Sequence, residues 1–314
     1  MIDNPLVSIC VPTYNSSAYL RQSLDSIAAQ TYKNIEVIIG DNASTDDTVA
    51  IANEYAACHG FRVFVNERNI GALNNWNLLL ERVRGVYVAI YHSDDVYEPT
   101  IVDESVKALG GNDNVAMVGT MANVIDGKGK FRYPYNLPDG IRKLKKSVYS
   151  FDEVMLGALM SGGDRVFLVT PSLMVKKSVY EEFGRFDDTR RSAGDYEMWL
   201  RIAIKYDVAI IDRKLINYRI HENQGSELEL RKNIEIPDNV PIFRKYREHI
   251  LNKKVRKLSD KFIDKRILMA ALKQNRQGEF ARSGETAVMT ETGSHAIIKA
   301  LLTMANRLHL KLKL

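Results

Sequence analysis

Two cysteines in 314 residues cannot build a disulfide framework. Cys10 sits in an apolar run and Cys58 ends a helical pattern, so both read as reduced packing residues in a reducing compartment. No window approaches the ~20 consecutive apolar residues that a membrane-spanning helix needs. Residues 1–5 lack the basic flank and apolar stretch of a secretory leader. The expectation is a cytoplasmic protein, free or peripheral on the inner face of the membrane. Internal repeats and low-complexity tracts are also missing. The first apolar strand runs into Pro12-Thr13-Tyr14-Asn15 and not into a glycine-rich basic phosphate loop, which counts against a nucleotidyltransferase. No nucleic-acid motif accompanies the basic residues, so nucleic acid is not an expected partner.

What is present is an ordinary globular composition with an uneven charge. The formal net charge is +5. Residues 231–314 hold about 19 of the 44 basic side chains but only about 8 of the 39 acidic ones, so an acidic body carries a basic tail. The tail interleaves Arg244, Lys245, Arg247, Lys253, Lys254, Arg256 and Lys257 with Ile250, Leu251, Val255 and Leu258. Its last stretch, residues 297–314, is apolar with Lys299, Arg307, Lys311 and Lys313. Helices of this kind lie on anionic membrane surfaces. The same pattern also suits a solvated basic face on a helix packed against the body or a second subunit.

The first part of the chain alternates strand and helix. Apolar runs at 7–11, 35–39, 61–65 and 86–91 predict buried strands. Helical patterns lie between them, ending near Ala29, Cys58 and Val83. Ser16 or Ser17 is the expected cap of the first helix, and Ser44 or Thr45 of the second, with Asp46 and Asp47 in its first turn. Continuous apolar strands with intervening helices imply an α/β fold, a mostly parallel, Rossmann-like sheet covered on both faces. The rhythm then changes. A strand is predicted at 115–121, an irregular stretch at 127–146, helices at 150–160, 178–183 and 195–206, and strands at 171–175, 208–211 and 216–220. Beyond about residue 229 the pattern is helical, with a polar break at 277–294. Three segments follow: 1–122, 123–228 and a basic helical extension at 229–314.

In open α/β sheets ligands bind beyond the carboxyl ends of the strands. Three polar clusters should meet there: Pro12-Thr13-Tyr14-Asn15, Gly40-Asp41-Asn42-Ala43-Ser44 and His92-Ser93-Asp94-Asp95. A carboxylate can accept from a base N–H, an aromatic ring can stack on a base, and paired acids can hold Mg²⁺ or Mn²⁺ beside substrate phosphates. Each cluster alone is also an ordinary turn. Turn chemistry, however, does not require acids at two strand ends on one sheet edge.

The run Val7-Ser8-Ile9-Cys10-Val11-Pro12-Thr13-Tyr14-Asn15 resembles the opening of family-two glycosyltransferases of the GT-A fold. So does Glu36-Val37-Ile38-Ile39-Gly40-Asp41-Asn42-Ala43-Ser44-Thr45-Asp46. Asn69-Ile70-Gly71, Asn75-Trp76-Asn77, Ser93-Asp94-Asp95, Phe183-Gly184-Arg185-Phe186-Asp187, Asp195-Tyr196-Glu197-Met198-Trp199-Leu200-Arg201 and Tyr218-Arg219-Ile220-His221 continue the likeness in order, to about residue 226.

This resemblance implies that a nucleoside diphosphate sugar, a UDP-sugar first among candidates, gives its sugar to a hydroxyl acceptor with inversion. The acceptor expected from it is a lipid-linked or other cell-surface glycan. Pro12, Thr13, Tyr14, Asn15, Asn69 and Gly71 would frame the donor, and Asp41 would accept from the base. Asp95 would ligate a divalent cation with Asp94 assisting. His221 would lie near the diphosphate or be a further metal ligand. Asp195 would be the general base, although an acid at a helix start is also what the helix dipole alone favours. Two departures stand out. Many relatives carry an acid where this chain has Gly194, and the metal motif reads His92-Ser93-Asp94-Asp95 in place of acid-x-acid-acid. A non-catalytic nucleotide-sugar-binding scaffold is the alternative on the same fold; the presence of Asp95 and Asp195 counts against it.

Overall fold

The computed structural model describes residues 4–161, 169–190, 193–222, 224, 239–293 and 295–312. Four parallel strands come first: β1 (Val7–Thr13), β2 (Ile35–Asp41), β3 (Arg62–Val65) and β4 (Tyr87–Ile90). The helices between them are α1 (Ser17–Ala28), α2 (Thr48–His59) and α3 (Ala72–Leu80). Then come β5 (Val96–Tyr97), α4 (Ile101–Gly110), β6 (Val115–Asp126), β7 (Phe131–Tyr135), α5 (Asp139–Arg142), β8 (Val148–Tyr149) and α6 (Phe151–Met160). The body closes with β9 (Met174–Lys176), α7 (Lys177–Phe183), α8 (Gly194–Ala203) and β10 (Asp207–Ile220). Among the described residues the strands form one sheet in the order β3-β2-β1-β4-β9-β6-β10-β5, with β7 beside β6 and β8 beside β10.

The strands are apolar throughout because both faces are covered. Side chains alternate along β1. Val7, Ile9 and Val11 pack with Leu20, Leu24 and Ile27 of α1 and with α2 and α4, while Cys10 packs on the opposite face with Trp76 of α3 and the residues of α6 and α8. The sheet is mostly parallel, but β9 runs antiparallel to both β4 and β6 and so joins the parallel β1–β4 set to the β6/β10 pair. β6 crosses residues 122 and 123 without a break, so the two expected halves share a strand.

Several local expectations change. The strands predicted at 208–211 and 216–220 are one strand, β10, with register shifts near Ile211, Lys214 and Ile216. The stretch at 127–146 contains β7 and α5. Cys58 is exposed and is not a packing residue. Residues 229–238 of the expected helical tail lie outside the described residues.

The extension continues as α9 (Asn239–Tyr246), α10 (Lys253–Gln277), α11 (Phe280–Val288) and α12 (Ala296–Arg307). Asn252 caps α10 by accepting from the amides of Lys254 and Val255, and Gly278 ends it at φ +89°, a conformation that favours glycine. The predicted polar break at 277–294 holds α11, whose polar Ser283 and Thr286 are buried: the Ser283 hydroxyl bonds the Ala271 carbonyl at 2.6 Å. Val240, Phe243, Tyr246, Ile250, Val255, Ile263 and Ile267 belong to the same core as α8. Leu268, Ala271, Leu272, Ala287 and Leu302 form a separate small cluster. The first half of the extension therefore completes the body, and the second half packs on itself.

Glu197 of α8 joins the two. It is buried, and its carboxylate accepts from Lys245 Nζ at 2.8 Å and the Tyr246 hydroxyl at 2.6 Å, with Arg201 3.1 Å away. Burial opposes the charge, but these partners outweigh it and hold the carboxyl below its ordinary value. The contribution of Glu197 is thus whole above the unfolded value of about 4.5 and is lost as the pH falls through the lowered folded value. Glu197→Gln should cost about 2 kcal/mol at neutral pH. It should also flatten the loss of stability toward acid, as measured by denaturant midpoints at neutral pH and at about pH 4.

Candidate active site

The carboxyl ends of β1, β2 and β4 meet at one sheet edge, and their loops are tied to one another. Thr13 donates to Asp41 Oδ1 at 2.9 Å, and the Ser44 hydroxyl donates to the same oxygen at 2.5 Å, while the Ser44 amide donates to Oδ2 at 2.8 Å. Asp41 is closed to solvent, so its carboxylate fixes the floor between the first two loops. Asn15, at φ +48°, accepts from the Thr45 amide at 2.8 Å and donates its own amide to Ser44 Oγ at 2.8 Å. Ala43 also lies in the left-handed region, at φ +63°, so two non-glycine residues in this edge hold strained backbone.

The helix caps come from across this junction. Ser16 is the N-cap residue of α1, but its side chain makes no capping bond. Asp46 Oδ2 accepts from the Ser17 amide at 3.1 Å, and Thr48 Oγ1 from the Ser16 amide at 2.7 Å. Neither Ser44 nor Thr45 caps α2; its N-cap residue is Asp47. Asp46 is held down to about 2, its modest burial outweighed by hydrogen bonds from Thr48 and Ser17. Tyr14 is half exposed and leaves a free aromatic face above these loops. Pro12 pairs with Gly40 across β1 and β2. Asn69 Oδ1 accepts from Asn42 Nδ2 and from the Gly71 amide, both at 2.9 Å, and Gly71 sits at φ +86° where α3 begins. Asn69 and Gly71 thereby shape the third loop of the edge.

After β4 the chain places His92, Asp94 and Asp95 so that one ligand atom from each lies within 4.8 Å of the others. Asp95 is fully buried. Its Oδ1 accepts from the Arg219 amide at 2.8 Å, whereas Oδ2 has no partner among the described residues. His92 Nε2 is in the same condition. Burial, then the adjacent Asp94 charge, pushes Asp95 well above the carboxylate range. Asp94 goes the other way: burial would raise it, but the hydrogen bond and charge of His221 and the charge of His92 keep it low. His221 Nε2 lies 3.1 Å from Asp94 Oδ2. Burial lowers His92 against the pull of Asp94 and Asp195, favouring the neutral ring that can ligate. Two solvent-shielded donor atoms without partners, one carboxylate oxygen and one imidazole nitrogen, fit a divalent cation.

Asp195 opens α8. Thr170 donates to its Oδ2 at 2.6 Å, and Trp199 Nε1 donates to Thr170 Oγ1 at 3.3 Å, so the carboxylate is aimed by a buried indole. Its charge is felt at His92, so this carboxylate lies near the His92, Asp94 and Asp95 group. Aromatic rings link them underneath: His92 to Trp76 at 5.5 Å, Trp76 to Phe186 at 5.3 Å and Phe186 to Trp199 at 5.6 Å. The Asn77 amide locks both backbone groups of Phe186, at 2.9 and 3.0 Å. Gly194 has a local cause. A Cβ there would lie 2.3 Å from Leu73 Cδ1 and 3.2 Å from the Asp187 carbonyl, so any side chain would have to displace the Leu73 side chain of α3.

A model of glycosyl transferase family 2 matches residues 8–183, more than half of the chain. The chain belongs to that family. An uncharacterized glycosyltransferase of Rickettsia bellii is 33% identical over 232 residues, covering 71% of this chain. The match spans 31% of that relative's length, under a third of it. The S. aureus TarS fragment 1–349 solved with UDP-GlcNAc superposes with TM-score 0.68 at 17% identity, over 97% of this chain and 88% of that one. The mannosyltransferase PcManGT of Pyrobaculum calidifontis, solved with GDP-Man and Mn²⁺, gives 0.62 at 18% identity over 97% and 81%. This family 2 glycosyltransferase therefore has the GT-A fold its motifs implied.

Sequence reading gave no role to Arg219, which is almost wholly buried. Besides its amide bond to Asp95, its Nε donates to the Asp94 carbonyl at 2.7 Å, Nη1 to the Asp126 carbonyl at 3.2 Å and Nη2 to Gln22 Oε1 at 2.6 Å. Its guanidinium stacks over Tyr19 at 4.7 Å. An arginine near the end of an otherwise half-apolar strand was the available signal. Asp95 is different, because burial makes its charged form costly and its Oδ2 has no partner among the described residues. Asp95→Asn, whose amide can donate toward His92, should raise the stability of the metal-free protein by about 1–2 kcal/mol. The same change should abolish the Mn²⁺-induced rise in Tm, both effects being read by thermal denaturation with and without Mn²⁺.

Proposed function

We propose that this cleft moves a sugar from a nucleoside diphosphate donor, a UDP-sugar first among candidates, to a hydroxyl acceptor with inversion. The observation that carries this reading is the unpartnered Asp95 Oδ2, in a residue grouped with His92 and Asp94, with the Thr170-bonded Asp195 carboxylate near enough to act on His92. His92, Asp94 and Asp95 would hold a divalent cation, Mn²⁺ or Mg²⁺, with His221 orienting Asp94. When bound, such a cation offsets the negative charge that grows on a departing diphosphate. The solved neighbours with UDP-GlcNAc and with GDP-Man and Mn²⁺ support a donor of this class.

The remaining roles belong to the chain itself. Tyr14 offers a stacking face to the base, and Thr13, Asn15, Asp41, Asn69 and Gly71 shape the loops that receive it. Asp195 takes the proton of the acceptor hydroxyl while that oxygen bonds the anomeric carbon and the bond from that carbon to the diphosphate oxygen breaks. Attack from the side opposite the leaving group inverts the centre, and no enzyme-bound sugar is required. Thr170 and Trp199 keep the base in place.

A lipid-linked or cell-surface glycan acceptor agrees with the outer face of α12. Ile297, Leu301, Met304 and Leu308 are all exposed there, at the i, i+4, i+7, i+11 spacing of a single stripe. Lys299, Arg307 and Lys311 accompany them, and residues 295–312 contain no acid. Two such faces from two copies would oppose like charges, so the occupant that fits is an anionic lipid surface. No described helix is long and apolar enough to cross a membrane.

Asp195→Asn should lower kcat by about 10²–10⁴-fold while leaving donor affinity within about threefold. The measurements are nucleoside diphosphate release with Mn²⁺ and an acceptor, and donor titration; release of pyrophosphate instead would point to nucleotidyl transfer. Ile297→Glu with Leu301→Glu should abolish co-sedimentation with phosphatidylglycerol vesicles, and wild-type protein should not sediment with neutral phosphatidylcholine vesicles. Equal binding to both vesicle types, or to neither, would remove the lipid reading.

A further inference from the structure

The cluster beyond β4 contains one member that carboxylate chemistry does not call for. His92 stands where the family pattern has an acid, and its ring does not behave as simple packing. Trp76 touches it at 5.5 Å, but Nε2 is shut off from solvent with no partner among the described residues. One ring nitrogen of His92 and one carboxylate oxygen each of Asp94 and Asp95 lie within 4.8 Å of one another, and Asp95 Oδ2, like His92 Nε2, is buried without a partner among the described residues. A packing role for the ring leaves two buried polar atoms of neighbouring residues without partners among the described residues. One shared ligand satisfies both.

The nearby histidines have different situations. His221 Nε2 already has Asp94 Oδ2 at 3.1 Å, and its ring stacks obliquely on Tyr19 at 4.8 Å. It is placed to orient a ligand. His92 has no such commitment at Nε2. Its backbone is pinned, the carbonyl accepting from Ser23 Oγ at 3.0 Å and from the Tyr97 hydroxyl at 3.2 Å. The ring is therefore held in place while its nitrogen stays free.

We infer that His92 supplies a nitrogen ligand to the divalent cation of this cleft, and that this ligand makes the site select Mn²⁺ over Mg²⁺. The inference rests on the reading of the cleft as a metal-assisted donor site. Two physical effects act in one direction. Imidazole suits first-row transition ions, whereas Mg²⁺ favours hard oxygen ligands in a strict octahedron and gives up water reluctantly. Replacing one carboxylate by a neutral imidazole also removes one negative charge from the ligand set, and with it part of the attraction on which a hard ion depends.

The experiment uses the full chain and the metals alone. Mn²⁺ and Mg²⁺ affinities are measured by calorimetry, and the ¹⁴N coupling of bound Mn²⁺ by pulsed electron paramagnetic resonance. Wild type should bind Mn²⁺ at least about tenfold more tightly than Mg²⁺ and show nitrogen coupling. His92→Asn should lose that coupling, and His221→Asn should keep it. His92→Asp, which restores an acid, should bring the two affinities within about threefold of each other. Nitrogen coupling undiminished in His92→Asn, or an Mn²⁺ preference undiminished in His92→Asp, would overturn the assignment while leaving the metal site standing. Failure of wild type to bind either ion would overturn the donor-site reading together with this one.

Discussion

A carboxyl group taken out of water with one oxygen left without a partner is a costly group, and Asp95 is one among the described residues. Much of the surrounding architecture serves to keep it there. Arg219 gives Asp95 its one partner through the backbone and spends its guanidinium on the Asp94 carbonyl, the Asp126 carbonyl and Gln22. One side chain thereby ties the β4 loop to the ends of β6 and β10 and to α1. The positive charge sits beside the acidic pair without bonding a carboxylate oxygen by its side chain, so it offsets the local field and leaves Asp95 Oδ2 free. A direct guanidinium–carboxylate bond would have been more stabilising and would have closed the site.

The same economy of position governs the other half of the cleft. α3 connects the two halves through side chains that the family likeness singles out but whose work is structural. Asn75 donates to the Gly40 carbonyl at 2.7 Å, Asn77 clamps Phe186, and Trp76 packs between His92 and Phe186. Leu73 lies against Gly194, one residue before Asp195. The Asp41 edge, the His92 group and Asp195 are thus referenced to a single nine-residue helix. A shift of α3 would move all three together, which keeps their mutual geometry while the loops around them adjust.

What the sequence made legible follows from these physics. Buried parallel strands appear as unbroken apolar runs, and polar clusters at their ends can be assigned to one edge because parallel strands share a direction. Ser16 was legible as the N-cap residue of α1, but the amides there are satisfied by Asp46 and Thr48 from the neighbouring loop, and a contact between residues thirty apart leaves no local pattern; Ser44 looks like a cap of α2, but its hydroxyl goes to Asp41. Residues 277–294 read as a break because α11 buries Ser283 and Thr286 in its own small cluster, so its inward face is polar. The antiparallel β9 is three residues long and carries no period. Arg219 and His92 were visible as anomalies, a charge in a strand and a base in an acidic motif, but an anomaly in sequence names no partner until the fold supplies one.

The extension shows how one helix couples distant parts. α8 carries Asp195 at its start, held from one side by Thr170, and Glu197 two residues later, held from another by Lys245 and Tyr246 of α9. Successive helical residues two apart point to different faces, so Asp195 and the anchor of the extension do not compete for space, yet they share one helical backbone. Beyond α9 the packing divides, with one part of α10 in the main core and its end in the cluster that supports α12. The small cluster that seats α12 is therefore joined through α10 and α9 to the helix that begins beside Asp195, so the extension and that carboxylate share one continuous packing.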